Sequence, residues 1–231
     1  MSADAIAFIY ARTGSRRLPG KVLLEIDGHK VIDIVYARAS CLNVRDVVVL
    51  TTNRQVDDSL AAYCNECGYS FYRGDSDDLV MRTLQALAVY NSEIFVRVNA
   101  DCPLFEPTLV NKALRYMSIA PVAEMVSNVL ERSFPYGVSV ECVRANAYKQ
   151  YAELAFDSER EHVTQHLYRL KDKLNIYNMR DNSGDHSQQR LTLDTPADFQ
   201  MLKSLFSDQR SILAPYWDMQ GVSAPEPLIR P

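Results

Sequence analysis

Four cations, Arg12, Arg16, Arg17 and Lys21, fall within one short stretch that also holds Gly14, Pro19 and Gly20. The stretch follows directly on the apolar run Ala5–Tyr10, which reads as a buried strand. A strand opening into a basic, glycine-containing loop has the makings of a polyphosphate site. Backbone N–H groups and Arg/Lys side chains can converge there on one anion at the carboxyl edge of a sheet. Gly14 and Gly20 allow close backbone approach, and Pro19 stiffens the turn. The alternative is a basic surface turn. The loop is not a Walker A loop: the spacing from Gly14 to Gly20 is one residue too long, and Val22 stands where a metal-binding hydroxyl is required. A G-x-G-x-x-G pattern is also absent.

Two aspartates complete the chemistry. Asp101 follows the strand-like run Ile94–Val98, and Asp194 follows the strand-like run Arg190–Leu193. Carboxylates at strand ends near a cationic loop suit a magnesium–nucleotide site, because Mg2+ takes one or two carboxylates plus phosphate oxygens. Each could instead cap a helix or a turn.

The elements that must position these residues alternate along the chain. Strands are expected at Ala5–Tyr10, Asp46–Thr51, Tyr69–Tyr72, Ile94–Val98, Ala123–Ser127, Val138–Val143, Leu174–Met179 and Arg190–Leu193. Helices are expected at Val31–Ala39, Val56–Tyr63, Asp77–Val89, Pro107–Tyr116, Ala147–Ala155, Glu159–Lys171 and Pro196–Phe206, with Asp77 and Thr195 as N-caps. Strand–helix alternation predicts an α/β fold whose mostly parallel sheet is covered on both faces. A single domain over residues 1–212 is expected, with an aromatic, charged subregion at 128–180 and an extended proline-containing tail at 213–231.

Composition narrows the partners. The net charge of −4 excludes a general nucleic-acid binder and sets off the basic loop as a local anion site. No apolar run is long enough to span a bilayer and no signal peptide is evident, so no membrane association is expected. Five cysteines, an odd number, point to a reducing, cytoplasmic setting. Cys64 and Cys67 form a lone C-x-x-C near a helix end, read as helix-end cysteines, with a redox or metal role as the alternative.

Six ordered segments carry a resemblance: Ala11–Leu23, Tyr72–Arg82, Arg97–Pro107, Phe134–Glu141, Glu159–Thr164 and Arg190–Phe199. Together they resemble the cytidylyltransferase family that includes the CMP-3-deoxy-manno-octulosonate and CMP-N-acetylneuraminate synthetases, in the branch of the spore coat polysaccharide biosynthesis protein F type. The resemblance implies a three-layer α/β/α nucleotide-diphosphosugar-transferase (Rossmann-like) fold, CTP, Mg2+ and a sugar acceptor for surface polysaccharide. It implies attack by a sugar oxygen on the α-phosphorus with release of pyrophosphate, and a homodimer. On the matching positions it implies that Arg12 and Lys21 hold the phosphates, assisted by Gly14, Ser15 and Arg17. Asp101 would bind Mg2+, and Asp194 would be the second metal or acceptor-side carboxylate. Backbone near Ala11 and the segment with Arg73, Asp75 and Asp78 would contact the nucleoside, and Arg97 and Glu141 would line the substrate. Arg160 and His162 read first as packing and helix-surface residues, with contact to an acidic acceptor or a dimer partner as the alternative. Ser139 departs from the pattern, standing where relatives carry an acid.

Other readings stay open at this stage. His162 and His166, spaced i and i+4, could share a helix face and bind zinc. A glycosyltransferase of the same fold would use an acid-x-acid motif, for which Asp75-Ser76-Asp77 has the spacing, although a turn and helix cap explains it better.

Overall fold

The computed structural model describes residues 4–207, 212–215 and 225–227. In chain order the elements begin with β1 (Ala5–Tyr10), the short hairpin β2 (Glu25–Ile26) and β3 (His29–Lys30), α1 (Val31–Ala39), β4 (Asp46–Thr52), α2 (Asp58–Glu66) and β5 (Ser70–Gly74). They continue with α3 (Leu79–Tyr90), β6 (Ile94–Asn99), α4 (Pro107–Ile119), β7 (Met125–Ser127), β8 (Glu141–Arg144) and α5 (Ala145–Ala152). The last are α6 (Gln165–Arg169), β9 (Ile176–Asn178), α7 (Pro196–Ser207) and β10 (Glu226–Pro227).

Strand β1 lies inside the sheet, between β6 and β4, and is buried along its whole length. A strand covered on both faces must be a continuous apolar run, and Ala5-Ile6-Ala7-Phe8-Ile9-Tyr10 is one. Alternate residues enter different cores. Ala5, Ala7 and Ile9 pack with Val31 and Ile34 of α1, Leu60 of α2, Leu109 of α4 and Leu202 of α7. Ile6, Phe8 and Tyr10 pack with Val80 and Leu87 of α3, Tyr148 of α5 and Leu167 of α6. The result is three layers, helices on both faces of one sheet.

The main sheet runs β10-β9-β7-β8-β6-β1-β4-β5. Parallel pairing of β1 with β4 and β6, and of β4 with β5, brings four carboxyl ends to one edge. The chain goes from β1 outward to β4 and β5, then returns to β6 on the other side of β1. That reversal leaves a ligand crevice at the carboxyl edge beside β1. Strand β8 inserts antiparallel between β6 and β7, β9 runs parallel to β7, and β10 is antiparallel to β9. Residues 128–180 therefore supply strands to the main sheet, and residues 226–227 of the tail add its last strand. Arg38, fully buried at the end of α1, donates to the carbonyls of Ile212 and Ala214 at 2.9 and 3.1 Å and to that of Phe105 at 2.9 Å.

Four expectations change. Arg190–Leu193 is not a strand: Arg190 forms one isolated bridge with Tyr136, and the N–H of Leu193 donates to the Asp101 carbonyl at 2.8 Å. These partners lie in loops too short for a ladder. The expected strand Val138–Val143 narrows to β8, because the Asn128 side chain takes the Val138 carbonyl and the Val140 N–H, each at 2.8 Å. The expected helix Glu159–Lys171 divides into a 3-10 turn at Asp157–Glu159 and α6. The Thr164 hydroxyl is engaged by Glu141 and Arg97, and its carbonyl starts α6 by accepting from Leu167 and Tyr168. The cap of α3 is Asp78, which accepts the Met81 N–H at 2.7 Å, while Asp77 pairs instead with Arg54. Thr195 does stand at the start of α7, exchanging hydrogen bonds with Asp198.

Candidate nucleotide and metal site

The loop after β1 is closed at its neck by one residue. The Thr13 carbonyl accepts the N–H groups of Ser15 and Gly20, each at 2.9 Å. Thr13 N–H donates to Asp57 at 2.7 Å. Gly20 sits at φ 67°, a left-handed conformation that a side chain resists. Ala11 is buried at the loop entrance, Gly14 is exposed and Ser15 half-buried. Arg12 and Arg16 are exposed and have no ion-pair partner among the described residues. They are the loop cations left available to an incoming anion.

The other two loop cations meet the two aspartates. Lys21 Nζ lies 2.6 Å from Asp101 Oδ2 and 2.9 Å from Asp194 Oδ1. Residues separated by 80 and 173 positions thus converge on one ammonium. Burial by itself would lower the Lys21 pKa, but the two carboxylates outweigh it and the net shift is upward. Burial would raise the Asp194 pKa, but Lys21, Arg17 and Arg190 hold it below its ordinary value. Arg17 reaches Asp194 at 3.1 Å, and Arg190 donates to the same oxygen.

Sequence reasoning did not single out Arg190, although it lies in a quoted segment four residues before Asp194. Its guanidinium also stacks 4.9 Å over the Tyr136 ring. Loop 134–137 is fastened beneath it: Tyr136 N–H donates to Gln189 at 2.8 Å and Leu191 N–H donates to Tyr136 at 2.7 Å. The approach requires glycine next door, since a Cβ at Gly137 would meet the Leu191 carbonyl at 2.8 Å.

The segment after β5 is held by its own side chains. Asp75 accepts the N–H groups of Asp77 and Asp78 at 3.0 and 2.8 Å, which hold its pKa down. With Asp77 on Arg54, the acid-x-acid spacing forms a turn. Arg73 donates to the carbonyls of Thr52 and Arg54, each at 2.9 Å, and pairs with Asp58 at 2.7 Å. Asp78 pairs with Arg160 at 2.8 Å. Arg82 is buried beneath this turn and donates to the carbonyls of Asp75 and Ser76 at 2.7 and 3.1 Å. Arg82 was missed in the sequence because an arginine in an amphipathic helix reads as a surface residue.

Arg97 on β6 is paired with Glu141 on β8 at 2.7 Å. Glu141 is buried and also accepts from the hydroxyls of Thr164 and Tyr168, the latter at 2.8 Å. Ser139 is half-buried two residues before it, in the stretch bracketed by Asn128. His162 is exposed and lies outside α6, whereas His166 is inside α6 and fully buried. The two histidines do not share a helix face, which removes the basis for the zinc reading. Cys64 and Cys67 lie at the end of α2, and all five cysteines are free.

Two carboxylates that reach the same cation supply hard oxygen donors of the kind Mg2+ takes. Among the described residues no group of three or more His, Cys, Asp or Glu is placed to hold a metal. A metal at Asp101 and Asp194 would draw its remaining ligands from phosphate and water, the ordinary arrangement for Mg2+ at a nucleotide. Among the described residues no helix is long and apolar enough to cross a membrane.

A doubly wound sheet with a basic loop after β1, and with the strand-end Asp101 and the loop residue Asp194 converging on it, defines a nucleotide-binding protein. The chain belongs to the cytidylyltransferase family, whose model matches residues 6–217. It is 27% identical to the spore coat polysaccharide biosynthesis protein SpsF of Bacillus subtilis, over 88% of this chain and 86% of that protein. It is 36% identical to the 3-deoxy-manno-octulosonate cytidylyltransferase of Saccharophagus degradans, over 46% of this chain and 42% of that one. A solved cytidylyltransferase structure from Leptospira borgpetersenii superposes with a TM-score of 0.84 at 28% identity, covering 93% of this chain and 90% of that one.

Proposed function

We propose that the protein is a magnesium-dependent cytidylyltransferase that moves CMP from CTP to an acidic sugar destined for surface polysaccharide. The observation that carries this reading is the convergence of Asp101 and Asp194 on Lys21 at the mouth of the basic loop. The names of the two curated relatives support the substrate class: one serves a spore coat polysaccharide and the other acts on a carboxylated octulosonate.

In this reading Arg12, Arg16, Arg17 and Lys21 bind the triphosphate. Lys21 stabilises charge on the phosphates as the reaction proceeds. A sugar hydroxyl oxygen bonds to the α-phosphorus, the α–β bridge bond breaks, pyrophosphate departs with that electron pair, and the hydroxyl proton is lost to solvent. Asp101 and Asp194 would hold Mg2+, which neutralises phosphate charge when bound. No covalent protein intermediate is required, so catalysis is positioning plus charge stabilisation. A homodimer through residues 128–180 belongs to the same proposal, supported by exposed Leu154 and Phe156 in that region.

The test is pyrophosphate release with CTP, UTP, ATP and GTP against a panel of carboxylated and neutral sugars. Release with CTP and a carboxylated sugar is expected. Release only with neutral sugars rejects the acceptor class, and turnover of a UDP- or GDP-sugar instead of CTP rejects the reaction. A monomer mass by light scattering at micromolar concentration rejects the dimer.

A further inference from the structure

Asp57, just before α2, is 1% exposed and takes no part in the chemistry above. Its carboxylate nevertheless sits behind the phosphate loop. Oδ1 accepts Thr13 N–H at 2.7 Å and lies 2.8 Å from Thr13 Oγ1, which is also 2.7 Å from the Val56 carbonyl. Oδ2 accepts the hydroxyl of Thr52 at the end of β4. Thr13 is the residue whose carbonyl closes the loop onto Ser15 and Gly20. One buried carboxylate therefore fixes the residue whose carbonyl closes the neck of the loop.

Two physical consequences oppose each other. A loop of arginines and glycine is conformationally broad, and ordering it on binding subtracts from affinity. A clamp that orders it beforehand strengthens phosphate binding. A negative charge behind an anion site weakens binding by Coulomb repulsion. The Asp57 charge is, however, spent on three hydrogen bonds, from Thr13 N–H, the Thr13 hydroxyl and the Thr52 hydroxyl, and is buried away from the loop surface. With the carboxylate engaged in this way, the ordering effect sets the sign.

We infer that Asp57 is a positioning residue for phosphate binding, acting through Thr13 to hold loop 13–20 in the conformation from which Arg12 and Arg16 meet a polyphosphate. This rests on the nucleotide reading above. It deepens it by giving the loop a clamp supplied from the turn just before α2.

The experiment is calorimetric binding of CTP, CMP and inorganic pyrophosphate, each with magnesium chloride, to the full chain and to Asp57→Ala, Asp57→Asn and Thr13→Val, with the melting temperature of each. Asp57→Ala is expected to weaken CTP and pyrophosphate by about tenfold or more while CMP changes about twofold or less. Thr13→Val, which keeps the N–H donor, should move the same way by less. Asp57→Asn, which keeps an acceptor for that N–H, should restore part of the loss. Unchanged or tighter CTP binding in Asp57→Ala overturns the inference in favour of simple charge. Equal weakening of CTP and CMP overturns it in favour of general destabilisation. If Asp57→Ala does not fold, Thr13→Val and Asp57→Asn are judged by the same CTP-to-CMP ratio. A parent protein that binds pyrophosphate but not CTP rejects the cytidine reading and leaves the variants to decide this one. A parent that binds neither overturns both.

Discussion

Lys21 and Asp101 meet at 2.6 Å, the tightest contact between the basic loop and the end of β6. The pair joins the two strand ends flanking the crevice, and Asp194 closes the third side on the same ammonium. In a partly desolvated site each of these charges depends on the others. Lys21→Ala should lower kcat/KM for CTP by about 10²–10³-fold. Lys21→Arg should not rescue it, because a planar fork does not replace a point charge held between two carboxylates. Steady-state kinetics with circular dichroism to verify folding checks this. Turnover within about threefold of the parent would remove Lys21 from the site.

Asp101→Asn and Asp194→Asn should each raise the Mg2+ concentration needed for half-maximal activity, since each removes one anionic oxygen donor. The readout is a magnesium titration at saturating CTP. An unchanged titration midpoint in both variants would assign the metal elsewhere.

Arg97 and Glu141 form a buried pair whose partners are already supplied by Thr164 and Tyr168. Glu141→Gln should destabilise the fold by roughly 3 kcal/mol, because it leaves a guanidinium without its counter-charge. The double variant Arg97→Met/Glu141→Gln should lose less than the sum of its singles. Urea denaturation of the four proteins measures the coupling, and strict additivity would contradict the pairing.

His166 is fully buried, and neither ring nitrogen has a hydrogen-bond partner among the described residues. Burial pushes its pKa down to about 4. The unfolded chain, with an ordinary histidine near 6.5, then binds the proton first as pH falls. Stability contributed by the neutral ring is complete above about pH 6.5 and is lost between there and about pH 4, by at most about 3 kcal/mol. His166→Phe should flatten that part of the profile in urea unfolding followed from pH 8 to 4. An unaltered slope would show that His166 titrates normally.

The central strand and the basic loop were legible because both rest on local composition: a doubly buried strand has to be continuously apolar, and an anion loop has to be basic. Asp101 was legible as a strand-end carboxylate. Asp194 was found for an incorrect local reason, since Arg190–Leu193 is a loop fastened to Tyr136 and Asp101 rather than a strand. Asp57 and Arg190 were not legible as site residues because their contacts with Thr13 and Tyr136 cross many residues of chain, and Arg82 was not because an arginine in an amphipathic helix reads as exposed. Asp57 reads locally as one more acid near a helix start. The break before α6 escaped periodicity because Thr164, at its start, bonds to Glu141 on a distant strand.

The most direct test of the central claim is a thermal-shift panel of CTP, UTP, ATP, GTP and UDP-sugars, each with and without Mg2+. A ligand confined to the folded state at a hundred times its dissociation constant adds about 2.7 kcal/mol, a shift readily seen. Selective, magnesium-enhanced stabilisation by CTP, lost in Lys21→Ala, is the predicted result. Stabilisation by a UDP-sugar with none by CTP would contradict the account.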